Sequence, residues 1–186
     1  LLKIRLIADI FGVEHVLVSR MQFMHDGRHV QRRQVPLKKL KWNISSQEDI
    51  TPHDQTFYAE DCPHTDSWHS SCVNALQERL GLSERVLQTQ FEQDVHMYSY
   101  HTEDNVKSSG YPGLNTLYCV HQVTFRVVDP DHPRVACLGL PQGQEFATAD
   151  GDFNFNAVKE LEEEVPIGSQ LNIWSWSCDK ELLTPK

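Results

Sequence analysis

The chain has 186 residues, 39% of them hydrophobic and 23% charged, with a formal net charge of −9. That length favours one domain over residues 1–186, able to bury roughly 70% of the surface its unfolded chain exposes without help from a disulfide or a metal. The negative charge argues against nucleic acid as a bulk partner, because phosphate binding needs a large basic surface. No apolar run approaches the ~20 residues of a membrane span. Five cysteines at irregular spacings read as reduced thiols in an intracellular, cytoplasmic setting. The opening LLKIRLIADIFGVEHVLVSR is apolar but broken by Lys3, Arg5 and Asp9, and lacks a signal-peptide layout. It has no initial Met, so the chain is expected to be part of a longer protein.

In chain order, Leu2, Leu6, Ile10 and then Ile7, Phe11 keep a four-residue spacing. This predicts a short leading helix over residues 1–12, stopped at Gly12. HVLVSRMQF alternates as a strand. Asp26-Gly27 is a hairpin turn, and HVQRRQVPLKKLKWN is the returning strand, ending near Pro36. Residues 43–66 read as a loop. DSWHSSCVNALQERLGL is the clearest helix, over 67–80, with Trp68, Cys72, Ala75, Leu76 and Leu80 on one face. Asp66 or Ser67 caps its start and Gly81 closes it. RVLQTQFEQDVHMYSY reads as one or two strands and TEDNVKSSG as a loop. YPGL reads as a type II turn, and NTLYCVHQVTFRVV as a long strand. GLPQGQEFATADGDFNF reads as a loop, NAVKELEEEV as a short helix, and QLNIWSWSC as a last strand with Trp174 and Trp176 on one face. The class is α/β, strand-rich, with one clear central helix.

Charge is unevenly placed. Residues 28–41 hold six of the seventeen Lys and Arg: Arg28, Arg32, Arg33, Lys38, Lys39 and Lys41. Against a −9 background this run is a candidate anion site for nucleotide phosphates, an inositol phosphate head or an acidic protein face, beside the plainer reading of a solvated hairpin. The acidic counterweight ends in Glu160, Glu162, Glu163 and Glu164. Cys62, His64, His69 and Cys72 supply four zinc-competent donors, but at a spacing foreign to zinc fingers, and Cys72 has a better use in the helix core. Cys119 and His121 share a strand face without a third, orienting group, so core packing is the default for them. Tyr98, Tyr100, Tyr111 and Tyr118 read as packing residues.

The order of hairpin with VPLKKL, loop, helix ending ERLGL and then strands resembles the Nudix fold, a mixed-sheet α/β/α sandwich. The signature of that family, G-x5-E-x7-R-E-U-x-E-E-x-G-U with U aliphatic, places glutamates on one helical face to hold divalent cations against a diphosphate, since Mg²⁺ takes oxygen ligands in octahedral geometry. Here Leu76, Glu78, Gly81 and Leu82 match, and Asp66 stands for the first glutamate. Glu60 replaces the leading glycine, while Asn74, Ala75 and Arg79 replace the arginine and two of the glutamates. The resemblance therefore implies the fold of the family without its reaction: a non-catalytic binding or regulatory domain, with no cofactor, recognising a phosphorylated ligand or a protein partner. Two alternatives follow from it. One is a hydrolase of a nucleoside-diphosphate derivative using Mg²⁺ or Mn²⁺ held by Asp66 and Glu78, with the late glutamates as further acids. The other is a protein-interaction scaffold.

Overall fold

The computed structural model describes residues 1–24, 28–38, 68–107, 113, 115–150 and 170–183. The leading segment is a strand, β1 (Leu2–Ile10), and not a helix. A four-residue spacing satisfies a period of two as well as one of 3.6. Leu2, Ile4, Leu6, Ala8 and Ile10 all bury on one face of the strand. Arg5 and Ile7, on the other face, are also buried, as a central strand requires. Gly12 ends the strand, but as a hairpin turn. Phe11 and Gly12 both take positive φ, at 55° and 79°. The register runs directly from Ile10 to Val13, the two-residue turn whose twist matches the flanking strands. The Asp9 carboxylate accepts from the Gly12 N–H at 2.7 Å.

β2 (Val13–Phe23) returns antiparallel and pairs with β3 (His29–Gln34), as the alternation predicted. The Asp26-Gly27 turn itself lies outside the described residues. β4 (Leu37–Lys38) pairs with the start of β1, so β3 and β4 fill the wedge where β1 and β2 diverge. α1 (Trp68–Leu80) is the predicted helix. Gly81 closes it with φ +67°, and its N–H donates to the Gln77 carbonyl at 2.9 Å. The expected caps Asp66 and Ser67 lie outside the described residues. α2 (Glu84–Gln90) occupies a stretch expected to be extended. Ser83 caps it, its side chain accepting from the Val86 N–H, a start signal that outweighs the local apolar run. β5 (Phe91–Gln93), a 3₁₀ turn (Val95–Met97) and β6 (Ser99–Lys107) follow. β6 thus extends through residues 102–107, where the polar sequence predicted a loop.

β7 (Asn115–Val127) is the long strand and runs parallel to β1. A second 3₁₀ turn (Pro133–Leu138) leads to β8 (Phe146–Asp150), another strand in a predicted loop. β9 (Gln170–Ser177) is the predicted last strand, and a short α3 (Lys180–Leu183) packs against β2. The expected helix at NAVKELEEEV lies outside the described residues. The sheet runs β5-β7-β1-β2-β9-β8, with β6 on β7, and is mixed. The chain is thus α/β and strand-rich, with few helices among the described residues.

Cys72, Ala75, Leu76 and Leu80 of α1 pack on one face of the sheet, where Ile4, Leu6, Leu17, Val123, Trp174 and Trp176 share a core with them. Each fully buried leucine contributes about 1.5–3 kcal/mol relative to exposure. Within the turn before β8, Gly139 has φ +73°, and an added Cβ would collide with the Gln144 carbonyl. Gly139→Ala is expected to lower the unfolding free energy by about 3 kcal/mol, combining left-handed strain with displaced backbone. A urea melt checks this.

Candidate functional site

Two irregularities in the sheet coincide. Ser19 and Met21 of β2 face the consecutive residues Trp174 and Ile173 of β9, so Arg20 is one residue too many against β9. On the other edge of β2, the same Ser19–Met21 step faces Gln34 and Gln31, so β3 carries an extra residue across Arg32 and Arg33. Bulges of this kind suspend the strict alternation of side chains and re-aim them. Three arginines from two strands, Arg20, Arg32 and Arg33, thereby line one open groove of about 660 Å³. Val18, Met21, Gln31 and Glu145 line it too, with Ser175 and Ser177 of β9. Leu17 belongs to the core under α1. Val18 therefore points to the opposite sheet face, and the groove lies on the side away from that helix.

Two of the arginines are held by acids. Arg20 Nη1 is ion-paired with Glu145. Arg33 Nη2 meets Asp179 Oδ2 at 2.8 Å and donates to Ser177 Oγ at 3.4 Å. Both arginines are solvent-facing, with 61% and 65% of their side chains exposed, so each pair contributes little to stability. Arg32 differs: it is half-buried, and its Nε is enclosed with no hydrogen-bond partner among the described residues. An enclosed donor without an acceptor costs free energy.

The basic run of the sequence is thus divided. Arg32 and Arg33 reach the groove. Arg28 instead lines a separate, smaller hollow of about 360 Å³ with Met24, His29 and Val30. Lys38 sits in β4 beside β1, and Lys39 and Lys41 lie outside the described residues. Arg20, Glu145, Ser175, Ser177 and Asp179 were not legible as site residues. They come from distant parts of the chain, and only the bulge register gathers them.

The other sequence candidates settle differently. Glu78 is exposed on α1, and Asp66 and the glutamates at 160–164 lie outside the described residues. Among the described residues no group of three or more His, Cys, Asp or Glu stands close enough to hold a metal. Cys62 and His64 are also outside the described residues. Cys72 is fully buried in the core of α1, and burial pushes its thiol up to about 12, as expected of a packing cysteine. Cys119 and His121 do share a face of β7. The neighbour of Cys119 is Tyr100, whose phenol is pushed up to about 12, first by its hydrogen bond with that thiol and then by burial. His121 Nδ1 lies 3.0 Å from the Tyr98 hydroxyl, and burial lowers the imidazole below its usual range. One ring nitrogen of His121 is thus taken by a phenol.

A network of charged side chains around one buried arginine lies elsewhere, between β1 and β7. Arg5 is 1% exposed. It donates from Nε to Thr124 Oγ1 at 3.0 Å and from Nη2 to the Met97 carbonyl at 2.8 Å. Burial lowers its guanidinium, against the attraction of Asp94. Arg126 donates to Asp94 at 2.9 Å and to Glu14. The bond to Arg126 holds Asp94 below the usual carboxylate range and raises Arg126 in return. These contacts fasten the Val95–Met97 turn to the sheet.

Among the described residues no helix is long and apolar enough to cross a membrane. Comparison of the chain with known proteins returns no matching family, no matching curated protein and no matching solved structure.

Proposed function

We propose that the chain is a non-catalytic, Nudix-like binding or regulatory domain of a larger intracellular protein, and that it takes a phosphorylated ligand in the groove of Arg20, Arg32 and Arg33. The observation that carries this reading is the convergence of three arginines from two strands on one groove. Guanidinium forks match phosphate oxygens, and the Ser175 and Ser177 hydroxyls beside them can donate as well. An open groove suits a phosphate carried on a small molecule or on a segment of a partner protein.

Three further features support the Nudix-like and non-catalytic parts. A hairpin, a helix closed by Gly81-Leu82 and later strands follow the order of that sandwich. Ala75, where the family keeps an acid, is packed into the core at 2% exposed. Arg79 puts a cation where a second acid would bind metal. Cys72, Cys119, Cys137 and Cys178 are all free thiols, which fits a reducing, cytoplasmic setting.

Calorimetric titration with O-phosphoserine and with pyrophosphate tests the reading. Wild-type protein should bind at least one of them, and Arg32→Ala with Arg33→Ala should weaken binding by tenfold or more, about 1.4 kcal/mol, in line with charged hydrogen bonds. Binding that is indifferent to both arginines would remove the groove from the function. No binding of either probe would favour the interaction-scaffold alternative.

A further inference from the structure

We infer that Glu145 and Asp179 are built-in occupants of the groove, so that it admits a ligand by exchange and thereby selects phosphate dianions over carboxylates. This rests on the proposed anion-binding role of the groove. The two arginines that protrude most are already paired, Arg20 with Glu145 and Arg33 with Asp179 at 2.8 Å. Each acid is tethered to the fold, Glu145 just before β8 and Asp179 just after β9. A tethered carboxylate competes at a high effective concentration.

The consequence is a comparison of like with like. A carboxylate ligand replaces one single charge by another and gives up its translational freedom, so it gains nothing over the resident acid. A phosphate monoester brings close to two charges and three acceptor oxygens. It can engage both released arginines beside Arg32, which lines the same groove and pairs with neither resident acid. Glu145, with 48% of its side chain exposed, returns to water at small cost, and Asp179, at 26%, is the acid held more firmly.

The test compares phenyl phosphate with benzoate, which share a ring and differ in the anionic head, by NMR titration of the whole chain. In wild-type protein phenyl phosphate should bind at least tenfold more tightly than benzoate. In Glu145→Gln/Asp179→Asn both should bind more tightly, and benzoate should gain most, so that the ratio falls to threefold or less. Glu84→Gln/Glu92→Gln removes the same two charges from exposed positions on α2 and β5, and it should leave the ratio as in wild type. An unchanged ratio in the groove variant, with phenyl phosphate still bound, overturns the exchange while the anion site stands. Phenyl phosphate binding to the groove variant alone also overturns the exchange, since the resident acids then exclude phosphate rather than yield to it, while the anion site stands. No binding to either protein overturns the exchange and the anion site together. Free O-phosphoserine against the same residue in a short peptide then names the source of the phosphate, and tighter binding of either is consistent with the exchange.

Discussion

Arg5→Ala should destabilise the fold by about 3–4 kcal/mol in a urea melt, whereas Arg5→Met should cost about 1 kcal/mol. Arg5 is a full-length side chain at 1% exposed in the middle of the sheet. Truncation to alanine leaves a cavity the neighbouring strands cannot close, and it strips a charged donor from the Met97 carbonyl and from Thr124. Methionine restores most of the volume without a charge to desolvate, and a buried ion is often replaceable by an apolar side chain of similar size. Thr124 still donates to the Met97 carbonyl at 3.2 Å, so that acceptor keeps one partner. Equal losses for both variants would mean that the guanidinium with its hydrogen bonds, rather than the filled volume, holds the Val95–Met97 turn in place.

Trp174→Ala should cost about 3–5 kcal/mol, the range for an excised core tryptophan. Trp174 is 1% exposed and its Nε1 donates to Thr148 Oγ1 at 2.7 Å, tying β9 to β8. It also faces Ser19 at the bulge, so its loss should reach the groove. Hydrogen exchange of β8 and β9 should accelerate more than that of β1 and β7. Trp174→Phe keeps a ring but not the donor, and should cost about half as much. A uniform increase in exchange across the sheet would show that Trp174 supports the whole core and not the β8–β9 edge.

Legibility in the sequence follows how local each determinant is. α1 is readable because its apolar stripe and Gly81 lie within one short stretch, and β7 and β9 because β-branched and aromatic residues dominate them. β1 reads as a helix because Leu2, Leu6 and Ile10 fit both periods, and only the burial of Ile4 and Ala8 between them decides for a strand. β8 is hidden because Phe146 and Thr148 gain their strand character from pairing with Trp174 and Asn172, partners far away in the chain. Arg32 and Arg33 stand out as charge. Their division from Arg28, and their union with Arg20, depends on a register slip that no local pattern announces.

The most direct measurement is a backbone amide NMR titration of isotope-labelled protein with O-phosphoserine. Saturable shifts should concentrate at Arg20, Gln31, Arg32, Arg33, Ser175 and Ser177, and in Arg32→Ala/Arg33→Ala they should need at least tenfold more ligand. Shifts that centre instead on Glu78 and the exposed face of α1, or that need no more ligand in the double variant, would contradict the groove as the binding site.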